Sequence, residues 1–194
     1  MKISLAAVAG LVLMGAVSAS AQDALMNSAE TINRRNFKFA GYPIFTLGDG
    51  ESETGVGLRA GYGFGRRFDA EAKLSFFDGL TYYGLDGEWW IKQEPDVSFA
   101  LGVHRTSFDG GFEVPGLDTS LLVSDHIGDR LELYGGLRVA WEFPEEGDSY
   151  RRMHLVPGIE YKISDDIDFL AEFGLKLNDD SSSYFSVGLA YYIR

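Results

Sequence analysis

The sequence contains no cysteine. That excludes a disulfide framework and a thiolate metal site, so an exported form of the chain must be held together by other means. Proline is scarce, at five residues, and histidine scarcer, at three. Beyond the N-terminal region no apolar run approaches the ~20 residues that a membrane-spanning helix requires. Positive charge is also short. Seventeen Lys and Arg face 29 Asp and Glu, for a net charge of −12. Such a chain lacks the clustered bases that a phosphate backbone demands, which sets nucleic acid aside as a partner.

The N-terminus is organised differently from the rest. Lys2 supplies a positive start, Ile3 to Val17 is almost wholly apolar, and Ala19-Ser20-Ala21 places small residues at −3 and −1. This pattern predicts a secretory signal peptide over residues 1–21, cleaved after Ala21, and hence an exported protein. Residues 22–35 (QDALMNSAETINRR) are polar and carry no strand pattern. They read as a lead-in, either disordered or a short periplasmic helix.

From residue 36 the chain takes up a period of two and keeps it to residue 194. In the clearest segment Leu131, Leu133, Gly135, Leu137, Val139, Trp141 and Phe143 share one face, and Arg130, Glu132, Tyr134, Gly136, Arg138, Ala140 and Glu142 share the other. Such alternation is the signature of a strand with two unlike faces. The same reading predicts about ten strands, near 36–46, 54–64, 68–77, 82–92, 97–107, 117–127, 130–143, 151–163, 167–177 and 184–193, with eight as the alternative number. A hairpin repeats along the chain. Tight turns precede strand starts at Phe68, Val97, Leu131 and Ile167, spaced by 29, 34 and 36 residues. Looser connections (LGDGESE, FDGLT, DGGFEVPG, PEEGDS, NDDSSS) alternate with them. Pro43 and Pro157 interrupt predicted strands, and Pro157-Gly158 suggests a bulge.

One face of these strands is apolar and aromatic, while the other carries acids and bases together. A soluble core built from charged residues would be very costly, whereas a membrane barrel turns its apolar face to lipid and its charges inward. About 11 residues per strand, tilted by about 40°, rise on the order of 27 Å, which matches the apolar band of such barrels. Backbone polar groups in lipid must all be paired, so the sheet has to close. The expected fold is therefore all-β, a closed antiparallel up-and-down transmembrane barrel.

The alternating strands, the aspartate-bearing turns (Gly128-Asp129-Arg130, Ser164-Asp165-Asp166) and the last strand (Tyr184 to Arg194) resemble the small outer-membrane β-barrel proteins, the group of OmpA-, OmpX- and OmpW-like barrels. The resemblance covers residues 36–194 as a pattern rather than a diagnostic motif. It implies location in the cell outer membrane, contact with outer-membrane lipid and lipopolysaccharide, and passage through periplasmic chaperones and the barrel-assembly machinery. It leaves oligomeric state open.

Function in such a barrel resides on the inward face. Ten acids are assigned there (Asp69, Glu71, Asp86, Glu88, Asp118, Glu132, Glu142, Glu160, Asp168, Glu172) with nine bases (Lys38, Arg59, Lys73, Lys92, Arg130, Arg138, Lys162, Lys176, Arg194). A selective pore favours one sign. Near balance predicts a lumen filled by paired charges, with Arg59, Arg138 and Lys176 at mid-depth. His104, His126 and His154 also fall inward, but on strands too far apart to form a nucleophile–base pair, and no catalytic residue is assigned. Neither a cofactor nor a metal site is expected, because the acidic loops (Asp49, Glu51, Glu53; Glu145, Glu146, Asp148; Asp179, Asp180) lack calcium-loop spacing. The reading is a barrel with a membrane-structural or small-channel role and no enzymatic activity. The alternatives are a lipid-modifying enzyme of the lipid A deacylase kind and a narrow porin for small solutes.

Overall fold

The computed structural model describes residues 23–47 and 52–194. The expected signal peptide and the loop residues Asp49 and Glu51 lie outside the described residues. Ten strands follow one another: β1 (Phe37–Leu47), β2 (Thr54–Gly63), β3 (Phe68–Phe77), β4 (Leu80–Lys92), β5 (Asp96–Phe108), β6 (Glu113–Ile127), β7 (Leu131–Glu142), β8 (Tyr150–Lys162), β9 (Ile167–Lys176) and β10 (Ser183–Ile193). Each pairs antiparallel with its chain neighbours, and β1 closes on β10 from Phe37↔Ile193 to Leu47↔Ser183. The sheet has no free edge, as a structure surrounded by lipid requires.

The two-residue period sorts the side chains. Phe39, Leu58, Leu85, Leu101, Leu121, Leu137, Leu155 and Leu189 stand exposed on the outer wall. Lys38, Arg59, Glu71, Lys73, Asp118, Arg138 and Glu172 are buried in the lumen. At the end of the barrel where β1 begins and β10 ends, Tyr62, Phe64, Phe68 and Trp89 form a run of ring contacts 4.8–5.8 Å apart on adjacent strands. Aromatic girdles of this kind sit at the lipid–water boundary.

Three details differ from expectation. β6 begins at Glu113, so Pro115 lies within a strand. Pro157 makes no bulge: β8 and β9 pair at Leu155↔Leu175 and resume at Gly158↔Glu172 in the same register. Its ring points outward, and it pairs with Gly135 of β7, so only its β9 side loses a ladder bond. The register shift occurs instead between Trp90 and Lys92. The connection after β3 is also tighter than expected, just Asp78-Gly79 with Gly79 at φ 75°.

The main departure is in the lead-in. Residues 23–33 are neither helix nor solvated tail. They run without regular secondary structure inside the barrel, with Asp23 to Ala29 all buried. The segment enters at the terminus end, where Arg34 bridges to Gly63, and climbs toward Asp23. Its composition suits the site. Ala24 and Met26 pack with Tyr42, Leu170 and Tyr184, and Leu25 and Ala29 pack with Leu122 and Val156. Small residues let it pass close to the wall, and wall glycines reciprocate. A Cβ on Gly61 would strike Ile32, and one on Gly188 would come within 2.8 Å of Met26.

Candidate functional site

An irregular segment in a closed lumen has backbone N–H groups without a ladder, and buried ones need acceptors. The wall supplies them. Glu172 accepts from the amides of Leu25 and Met26, both at 2.6 Å, and from Tyr134 and Tyr184 hydroxyls at 2.9 Å. Asp69 accepts from the Ile32 amide at 2.6 Å, and Ser124 Oγ from the Ala29 amide at 3.2 Å.

Side chains of the segment then join the charge network. Arg59 donates to Asp23 (2.8 Å), to Glu71 (2.8 Å) and to the Ala24 carbonyl (2.9 Å). Tyr42 and Ser75 donate to the other oxygen of Asp23 at 2.7 and 2.8 Å. Asn27 accepts from Lys38 at 2.6 Å and donates to Glu88 at 2.5 Å, while Lys38 pairs with Glu71 at 3.1 Å. A further centre is built from wall side chains, one of which, Arg138, also donates to the Asp23 carbonyl of the segment. Asp118 takes Lys73 (2.7 Å), Tyr82 (2.6 Å), His104 (2.9 Å) and Arg138 (3.2 Å). His104 Nε2 continues to Glu142 at 3.0 Å, and Glu142 pairs with Arg152.

Tyrosines that line this space owe their seats to glycine. Tyr42 lies directly across from Gly57, Tyr134 from Gly158 and Tyr184 from Gly174. A Cβ on any of those glycines would overlap the ring opposite. Flat rings over glycine bring hydroxyls to the axis, where Asp23 and Glu172 collect them.

The assigned lumen residues divide. Arg59, Asp69, Glu71, Lys73, Glu88, Glu132, Arg138 and Glu172 are buried in the lumen, and Asp86 reaches Lys73 at 2.8 Å. Glu160, Asp168 and Lys162 lie at the terminus end, where Lys162 pairs with Asp165 at 3.2 Å. Lys176 was expected at mid-depth but is exposed at the last position of β9. Even the expected strand, 167–177, ends one residue beyond it, so its inward parity was mistaken for depth. Lys92, Arg130 and Arg194 are exposed as well.

Asp23, Asn27, Arg152 and the four tyrosines were not singled out from sequence. Only the run of small and apolar residues within 23–32 hinted at burial, and pairing across strands was needed to see which Gly faces which Tyr. The histidines make no catalytic set. His104 Nδ1 is held by Asp118, its Nε2 lies 3.0 Å from Glu142 outside hydrogen-bond geometry, and His154 Nε2 lies 3.0 Å from the Ser182 carbonyl. His126 stands apart, half exposed at the terminus end. Nearby, burial first and then the charge of Glu132 push the Glu30 carboxyl above its ordinary value.

The family model described as outer membrane protein beta-barrel domain matches residues 9–192. No curated protein sequence matches the chain. Among solved structures, an outer membrane channel from Pseudomonas putida F1 is similar at 9% identity and a TM-score of 0.51, covering 88% of this chain and 100% of that one. The translocator domain of the autotransporter NalP from Neisseria meningitidis is similar at 12% identity and a TM-score of 0.51, covering 96% of this chain and 95% of that one. At such identities the likeness is one of fold.

Proposed function

We propose, from the premise that the chain belongs to the outer membrane protein beta-barrel domain family, that it is an outer-membrane barrel sealed by its own N-terminal segment, with a structural role in the envelope and no enzymatic activity. The observation that carries this reading is the seat of the segment. Glu172 and Asp23 together tie residues 23–26 to six strands, through Tyr42 (β1), Arg59 (β2), Ser75 (β3), Tyr134 (β7) and Glu172 with Tyr184 (β9 and β10). A path through the lumen would have to displace this segment and strand several buried donors and charges. With an even strand number, both ends of the barrel domain and the point where the segment enters fall on one side, the periplasmic side in this topology.

The absence of an enzymatic role is supported by the chemistry inside. A hydrolase needs a nucleophile within reach of a base and access for its lipid substrate. The buried histidines are held by carboxylates or a carbonyl, and the lumen around them is filled.

Planar-bilayer recording tests the reading. The mature protein is expected to be silent, and a variant lacking residues 23–32 to conduct steadily. Steady conductance by the intact protein would refute the sealed lumen. A change in the mass of lipid A in cells expressing the protein would favour the lipid-modifying enzyme.

A further inference from the structure

We propose that the terminus-end mouth of the barrel is a site for a divalent transition metal of the zinc class, formed by Glu30 of the N-terminal segment, His126 of β6 and Glu132 of β7, with Asp96 of β5 beside them, so that the metal pins the segment to the wall. The inference goes beyond the sealed lumen and stands whether or not the lumen conducts.

Geometry brings the groups together. His126 and Glu132 are direct partners across β6 and β7, which places their side chains on the same face. Ligand atoms of Glu30, His126 and Glu132 all lie within 4.8 Å of one another. His126 Nε2 is 3.8 Å from Glu30 Oε2 and 3.9 Å from Asp96 Oδ2. Zinc bonds of about 2.0–2.2 Å to nitrogen and oxygen put tetrahedral ligands roughly 3.3 Å apart, so small side-chain rotations close the set.

A second observation points independently to a ligand. Glu132 is buried, at 4% exposure, and its Oε1 has no hydrogen-bond partner among the described residues. A buried carboxylate oxygen left bare is costly, and a cation would satisfy it. Of the cations that line this mouth, Lys162 pairs with Asp165 and Arg194 with Asp166 at 3.5 Å. A cavity of about 260 Å³ lined by Glu30, His126 and Glu132 gives solvent access. His104, the other histidine between carboxylates, differs because its acids already have cations: Asp118 pairs with Lys73 and Arg138, and Glu142 with Arg152.

Chemistry selects the class of ion. One imidazole with carboxylates suits zinc and its neighbours, whereas calcium takes six to eight oxygens. The ligands also come from three separate parts of the chain, and one of them is the segment. Metal binding would thus act as a latch between plug and barrel. No metal site was expected from the sequence, where only the acidic loops were weighed as cation ligands.

Calorimetric titration of the refolded mature protein in detergent with Zn²⁺, and separately with Ca²⁺, tests the site. One equivalent of Zn²⁺ should bind, with Ca²⁺ at least about 100-fold weaker. His126→Ala should weaken Zn²⁺ binding about 100-fold and Glu30→Gln about 10-fold. Both side chains are partly exposed, so both variants should fold, which an intact heat-sensitive gel shift would verify. Zn²⁺ should also raise the temperature of that shift in the wild type and not in His126→Ala. No saturable Zn²⁺ binding, equal affinity for Ca²⁺, or undiminished binding in His126→Ala would overturn the site. Loss in His126→Ala with none in Glu30→Gln would overturn the latch. A wild type that conducts yet binds zinc would refute the sealed lumen and leave the metal site standing.

Discussion

Two buried carboxylates in one lumen are satisfied in opposite ways. Asp118 is ringed by the wall: Lys73, Arg138, His104 and Tyr82 all come from strands. Glu172 has no ion pair among the described residues and instead gathers four neutral donors, two of them backbone amides of the N-terminal segment. All four side chains that ring Asp118 belong to the wall, and Arg138 alone among them also reaches the segment, at the Asp23 carbonyl. Half of the donors on Glu172, by contrast, are the segment's own amides. Charge pairs knit strand to strand at Asp118, and neutral donors dominate at Glu172, while the Arg59–Asp23 pair ties the segment in by charge as well. A charged plug seat without the plug would leave a bare ion in the lumen. A carboxylate awaiting amides can meanwhile be served by water.

The comparison is broken most severely at Asp118. Among the described residues, Asp118→Ala removes the one carboxylate that pairs with Arg138 and leaves Lys73 with Asp86. Breaking a buried pair from one side costs about 3–5 kcal/mol. The variant should lose that much in urea unfolding from detergent or lipid, yet still be silent in a bilayer, because the plug contacts of Glu172 are untouched. A conducting Asp118→Ala would show that the two centres are not separable.

Glu172→Ala should have the smaller effect on stability and the larger one on permeability. Four donors lose their acceptor, at about 1–3 kcal/mol for each one left buried and bare. The segment can relieve that by leaving, so the net loss should stop near 2–3 kcal/mol, with conductance appearing. A silent and fully stable Glu172→Ala would mean that Asp23 and Asn27 hold the segment unaided.

How much of this was legible in the sequence follows from which interactions are periodic. The ten strands and the two faces come from a two-residue alternation that any window reports, so Leu137 and Arg138 can be placed on opposite sides without knowing their neighbours. The alternation also identifies Glu172 and Asp118 as inward. It says nothing of what fills the space between them. Residues 23–33 have no period because they form no ladder. Their partners lie 37 to 159 positions away for the backbone contacts of Ile32, Met26 and Leu25, a separation no local pattern encodes. Charge balance suggested a lumen filled by side chains alone and left no place for a backbone segment among them. The error at Lys176 has another origin: alternation gives the face, not the depth, and depth depends on where the strand stops.

The smallest expected effect is also the sharpest probe of the plug seat. Tyr184 and Tyr134 each donate one hydroxyl to Glu172, to different oxygens, at 2.9 Å. Changing either to Phe keeps the ring, and with it the packing against Gly174 or Gly158, while deleting a single donor. Each change should cost about 0.5–1.5 kcal/mol. Tyr184 shares its oxygen, Oε1, with the Leu25 amide, and Tyr134 shares Oε2 with the Met26 amide. Fewer donors on a carboxylate oxygen strengthen those that remain, so neither Phe variant should release the segment, and both should stay silent. In the double variant the two amides become the only donors that hold Glu172. If the seat acts as one unit, the double loss should exceed the sum of the singles, and conductance should begin to flicker as the segment leaves and returns. Strict additivity with no openings would mean that the hydroxyls merely fill the lumen and that the two amides alone carry the plug.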